Sequence, residues 1–180
     1  MGRGRPTIDV DAGAIERAVE EDPWVSDASV SVVWPGTVFI DVIEHTPLVA
    51  VASGGSWLMM SVDGAALEQT AAPTPTDAAI AIDVAPLAIG DTTGDRDVLG
   101  ALAFIEALPE DLGVGMVVTV GDGGLQATVQ GHAVRLGRPV DMAMKATVLE
   151  GLIAAGIEDG SDINLIAPSR PAVSQPSTSG

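Results

Sequence analysis

The chain has 180 residues, 47% of them hydrophobic, and its 25 acidic against 8 basic residues give a formal net charge of −17. That much apolar material can build one domain or two small ones, while the charge opposes phosphate-rich partners, so neither nucleic acid nor an anionic membrane surface is expected to bind. Cysteine is absent, which removes disulfides, thiolate chemistry and cysteine-held metals, and no apolar run reaches the ~18 residues of a membrane span.

In chain order, "TIDVD" at 7–11 reads as a short strand, and Asp11 is placed to cap a helix through "AGAIERAVEED" with Ile15, Ala18 and Val19 on one face. Pro23 ends it. "WVSDASVSVVW" and "TVFIDVI" then form a hairpin around Trp34-Pro35-Gly36. After Pro47 come two apolar strands around Gly54-Gly55, a tight turn at Asp63-Gly64, a loop over 71–78 and a strand "AIAIDV". Residues 96–108 carry Val98, Leu99, Leu102, Ile105 and Leu108 at helical spacing and stop at Pro109. A three-strand meander follows, "GMVVTV", "LQATVQ" and "HAVRLG", joined by turns at "GDGG" and Gly131. A helix over "PVDMAMKATVLEGLIAAG", capped by Gly156, leads to a last strand "DINLIA", and "SRPAVSQPSTSG" is expected to be disordered.

No stretch assembles a catalytic constellation. Glu44 and His45 are adjacent, so on a strand they point to opposite faces and cannot converge on one atom. His132 has no nearby Ser or acidic partner in sequence. "DTTGDRD" at 91–97 lacks the spacing and the bidentate Glu of a calcium loop, so Asp95 or Asp97 is read as a helix cap. "GDGG" has no Lys or Ser/Thr following and sits between strands, which makes it a hairpin turn rather than a phosphate cradle. A hydrolase using scattered Asp residues is the remaining enzymatic alternative.

Two separated stretches carry a resemblance. "VD" before an amphipathic helix, "PWV" at 23–25, "WPGTVFIDVIE" from Trp34, and then Pro47 resemble the POTRA domain of the FtsQ/DivIB cell-division family. "MSVDGAAL", "VRLGRPVDMAMKATVLEGLI" and "INLIAPSRPAV" are similar to the opening turn, the Lys-bearing helix and the closing strand of that family's second domain. The resemblance covers roughly residues 7–173. It implies an α+β protein with a POTRA domain at 6–48, a mainly antiparallel FtsQ-type β domain at 49–168 and a tail at 169–180.

By the same resemblance the chain is a non-enzymatic divisome scaffold without cofactor, metal or small-molecule substrate. Its expected partners are FtsB/DivIC-like and FtsL-like division proteins, met at the septum on the extracytoplasmic side of the cell membrane. Recognition is expected by strand addition to the closing strand, with Ile163, Asn164, Leu165, Ile166, Ala167, Ser169 and Arg170 as the contact residues. Asn164 and Ile166 stand where the family often has Asp and Arg, so a charged contact is lost there; Arg170 is a candidate to replace it. Trp24, Trp34, Pro35, Glu44 and Pro47 are the POTRA motif positions, structural or docking. The family also implies a membrane-spanning helix upstream, making the full-length protein single-pass. A POTRA-type module of an envelope transport or assembly system is the alternative; it would bring repeated POTRA units or a β-barrel.

Overall fold

A computed structural model describes residues 11–33, 36–74 and 77–175. The chain divides into two compact units, residues 1–45 and 46–180. None of its described helices is long and apolar enough to cross a membrane.

In the first unit, α1 (Ala12–Val19) starts where the Asp11 carboxylate accepts the Ala14 N–H at 3.0 Å. It ends at Glu20, three residues before Pro23, so the helix is shorter than the sequence suggests. β1 (Val25–Val33) and β2 (Thr37–Glu44) pair antiparallel, with Val30 opposite Ile40 and Val32 opposite Val38. The helix grips this hairpin by one long-range bond: Glu16 Oε1 accepts the Val30 N–H at 2.8 Å. That N–H faces away from β2, since the Glu16 bond lies across the outer side of β1. The alternation in β1 and β2 is present, but every residue of β2 is exposed. The strand expected at 7–11 and the Trp34-Pro35 corner lie outside the described residues, apart from Asp11, which acts as the cap.

The second unit is built on one nine-stranded sheet. β3 (Pro47–Ser53), β4 (Ser56–Ser61) and β5 (Ala66–Thr70) form an antiparallel meander. Pro47 opens β3, a position where its missing N–H costs nothing, so Leu48 already belongs to this sheet. The Asp63-Gly64 turn is tied by Ser61: its buried hydroxyl donates to Asp63 Oδ1 and accepts the Ala65 N–H at 2.9 Å, and Gly64 takes a φ of +86°.

β6 (Ala79–Val84) runs parallel to β3, and after α2 (Arg96–Glu106) and α3 (Glu110–Gly113) the chain returns as β7 (Val117–Gly121), parallel to β6. Asp95 caps α2, accepting from Asp97 N and Val98 N. β8 (Gly124–Val129) and β9 (His132–Gly137) continue antiparallel, as the short turns require. α4 (Met142–Ala154) then crosses to β10 (Asp162–Asn164), parallel to β9, and Gly156 follows the helix at φ +79°. β11 (Ala172–Ser174) closes the sheet antiparallel to β10.

The sheet is thus mixed, with five antiparallel and three parallel joins in the order β11-β10-β9-β8-β7-β6-β3-β4-β5. Its inward side chains, among them Met60, Ile80, Leu125, Leu136 and Ile163, share one core with Leu102 and Phe104 of α2 and Leu149 of α4. α2 and α4 approach each other closely. A Cβ on Gly100 would lie 2.3 Å from Pro139 Cβ, so this position admits no larger side chain without a shift.

Candidate partner-binding edge

A sheet that is not closed has two edges, and here they differ. On the β5 side, Ala66 N–H donates to Asp91 O at 2.9 Å, Gly90 N–H donates to Ala66 O at 2.8 Å, and Ala65 bridges Thr92. The 90–93 loop therefore satisfies the first part of that edge, leaving only Glu68 to Thr70 beyond it. On the other side, β11 pairs with β10 alone among the described residues, and Ala172, Val173 and Ser174 are all exposed. Unpaired backbone groups on the outer side of such a strand are a template for another extended segment.

This geometry moves the edge expected from the sequence. β10 lies between β9 and β11, so Ile163 and Asn164 already have a strand on each side. Ile163 and Leu165 are core residues at 1% and 0% exposure, and the Leu165 N–H extends the ladder by donating to Arg135 O at 2.8 Å. Asn164 and Ile166 point the other way; the Asn164 side-chain oxygen accepts the Ile166 N–H at 3.0 Å. Ala167 and Arg170 close the turn into β11, with the Arg170 N–H donating to Ala167 O, and Ser169 sits inside that turn. The segment expected to be a disordered tail from 169 therefore contains the edge strand. Its signal in the sequence is faint: "PAVSQ" offers one large apolar residue between Pro and polar residues.

Beside the edge, the solvent face of the sheet carries Arg135 on β9, opposite Asn164 on β10 and Gln126 on β8. Arg135 and Ile166 line one shallow depression with Asp122, and Arg135 lines a second with Asp162 and Ala172. A cation is thus present on this face although position 166 is apolar.

A buried lysine ties the crossover helix to the sheet near this edge. Lys145 on α4 is 1% exposed, and its Nζ donates to Leu136 O at 2.7 Å and Arg138 O at 2.9 Å, tying the helix to the end of β9. Burial lowers its pKa, the Asp141 carboxylate raises it, and the Arg138 guanidinium lowers it. Lys-bearing helices are ordinary, so nothing in the sequence marked this one as internal.

The remaining motif residues do not converge on a reaction centre. Trp24 is partly buried; its N–H donates to Asp22 Oδ1 and its carbonyl accepts the His45 N–H at 2.8 Å, which joins the two ends of the hairpin. Glu44 is exposed at the end of β2, opposite Val25. Trp34 and Pro35 lie outside the described residues. His132 is buried with Nδ1 lacking a hydrogen-bond partner among the described residues, and no cluster of three His, Asp or Glu able to hold a metal occurs among them.

Residues 1–45 match the POTRA domain, FtsQ-type. The match ends at the boundary between the two compact units. No curated protein matches the chain.

Proposed function

We propose, from the match of residues 1–45 to the FtsQ-type POTRA domain, that this FtsQ/DivIB-like chain is a non-enzymatic scaffold of the bacterial division machinery that holds partner proteins by strand addition at β11. The observation that carries this reading is the asymmetry of the sheet edges. One is covered in part by the 90–93 loop, which leaves Glu68 to Thr70 open, and the other is open along its whole length, three exposed residues with a neighbour on one side only among the described residues. An added strand gains backbone hydrogen bonds without remodelling the core. The proposed partners are FtsB/DivIC-like and FtsL-like proteins, and the proposed place is the extracytoplasmic side of the septum.

The test is titration of the purified chain with the extracytoplasmic segment of its own FtsB/DivIC-like protein. N–H groups alternate between the two sides of a strand, so one of Ala172→Pro and Val173→Pro removes an outward donor. Saturable binding that weakens at least tenfold in one of these variants, with the melting temperature kept, is expected. Leu165→Pro is unsuitable, because Leu165 is buried and its N–H belongs to the β9–β10 ladder. Binding unaffected by both β11 variants would reject the edge.

A further inference from the structure

A second surface of the 46–180 unit lies six strands from β11 in the sheet order, where the C-terminal end of α2 meets β3 and β4. It is a cleft of about 480 Å³ with an apolar floor that includes Leu48, Met59 and Val114, the last 51% exposed. Every ionisable residue lining it is a carboxylate: Asp77, Glu106 and Glu110. The uniform sign acquires direction from the helix. Glu106 is the last residue of α2, whose final turn contains no basic side chain, so a carboxylate stands at the negative end of the helix dipole. Asp77 is partly engaged, accepting the Thr74 N–H at 2.7 Å, whereas no cation among the described residues pairs with Glu106 or Glu110.

Glu106 stands at the unfavourable end of α2, with a second carboxylate, Glu110, four residues on and partly exposed apolar surface beside both; the Glu106 placement conflicts locally with folding, and a cation brought by another molecule would relieve the conflict. We propose that this cleft docks a cationic amphipathic segment of another protein, with apolar side chains on Leu48, Met59 and Val114 and Lys or Arg against Glu106, Glu110 and the last carbonyls of α2. The site is separate from β11 and does not depend on strand addition there.

The experiment follows backbone amide shifts of the isotope-labelled full chain during titration with a short amphipathic Leu/Lys peptide. Because a chain of net charge −17 attracts any polycation, position is the readout. Shifts are expected to concentrate at residues 48–50, 59, 105–110 and 114. The double variant Glu106→Gln/Glu110→Gln, in which both altered side chains are exposed, is expected to weaken binding by about tenfold. Glu150→Gln/Asp159→Asn, elsewhere on the surface, is expected to change it little. The proposal is overturned by shifts spread over the acidic surface, by equal weakening in the control variant, or by equal binding of a Leu/Glu peptide. It is also overturned if Arg3→Gln/Arg5→Gln moves the same amides without added peptide, since the chain's own amino terminus would then be the occupant.

Discussion

Lys145 is the single lysine of a chain that contains neither Tyr nor Cys, so in mildly alkaline solution it is the only side chain expected to titrate. Its folded-state pKa is lowered, chiefly by burial, and the folded protein therefore holds this proton less tightly than the unfolded chain does. The destabilisation is complete below the folded pKa and fades as pH rises toward the ordinary value of 10.5. Unfolding free energy measured in urea from neutral pH to about pH 10 is expected to rise through that window. Lys145→Met should abolish this rise and, by leaving Leu136 O without its buried donor, cost about 1–3 kcal/mol at neutral pH. A variant as stable as the wild type would show that the bonds to Leu136 and Arg138 contribute nothing net.

Glu16 acts at the same scale in the first unit. Its carboxylate occupies the Val30 N–H on the outer side of β1, where a second strand would otherwise pair. Glu16→Ala is expected to lower stability by about 1 kcal/mol and to increase concentration-dependent association, read by melting temperature and by sedimentation. Association unchanged in the variant would mean that the Glu16 bond does not protect that edge.

At the scale of elements, the sequence was legible where local chemistry decides. Asp11 and Asp95 cap the helices expected of them, Gly156 follows α4 in the left-handed conformation, and the turns at Asp63-Gly64 and Gly131 join the strands they were expected to join. What could not be read was set by partners distant in sequence. The parallel joins of β3 to β6 and of β6 to β7 depend on segments tens of residues apart, and β11 has too few apolar residues to show a period. The position of the closing strand in the sheet could not be read for the same reason: "INLIA" alternates like any half-buried strand, and only the presence of β11 shows that Ile163 and Asn164 are interior. Close packing was equally silent, since nothing in the sequence around Gly100 shows that Pro139 lies against it. Gly100→Ala raises helix propensity yet places a Cβ against Pro139, so a net loss of about 1–3 kcal/mol is expected. A thermal melt showing stabilisation would mean that α2 and the 138–141 loop move apart freely.

For the whole molecule, an acidic, cysteine-free chain has a two-stranded sheet in its first unit and a nine-stranded sheet in its second, and both proposed binding surfaces lie on the second. The family match falls on the first unit, while the proposed docking edge is on the second, so the two can be tested separately. The strand-addition account stands on where backbone amides become protected. The most direct measurement is amide hydrogen exchange of the full chain with and without the FtsB/DivIC-like segment. Slowed exchange in residues 172–174, with little change at Glu68 to Thr70 on the opposite edge, is the predicted result. Saturable binding that leaves the 172–174 amides exchanging as before would contradict it.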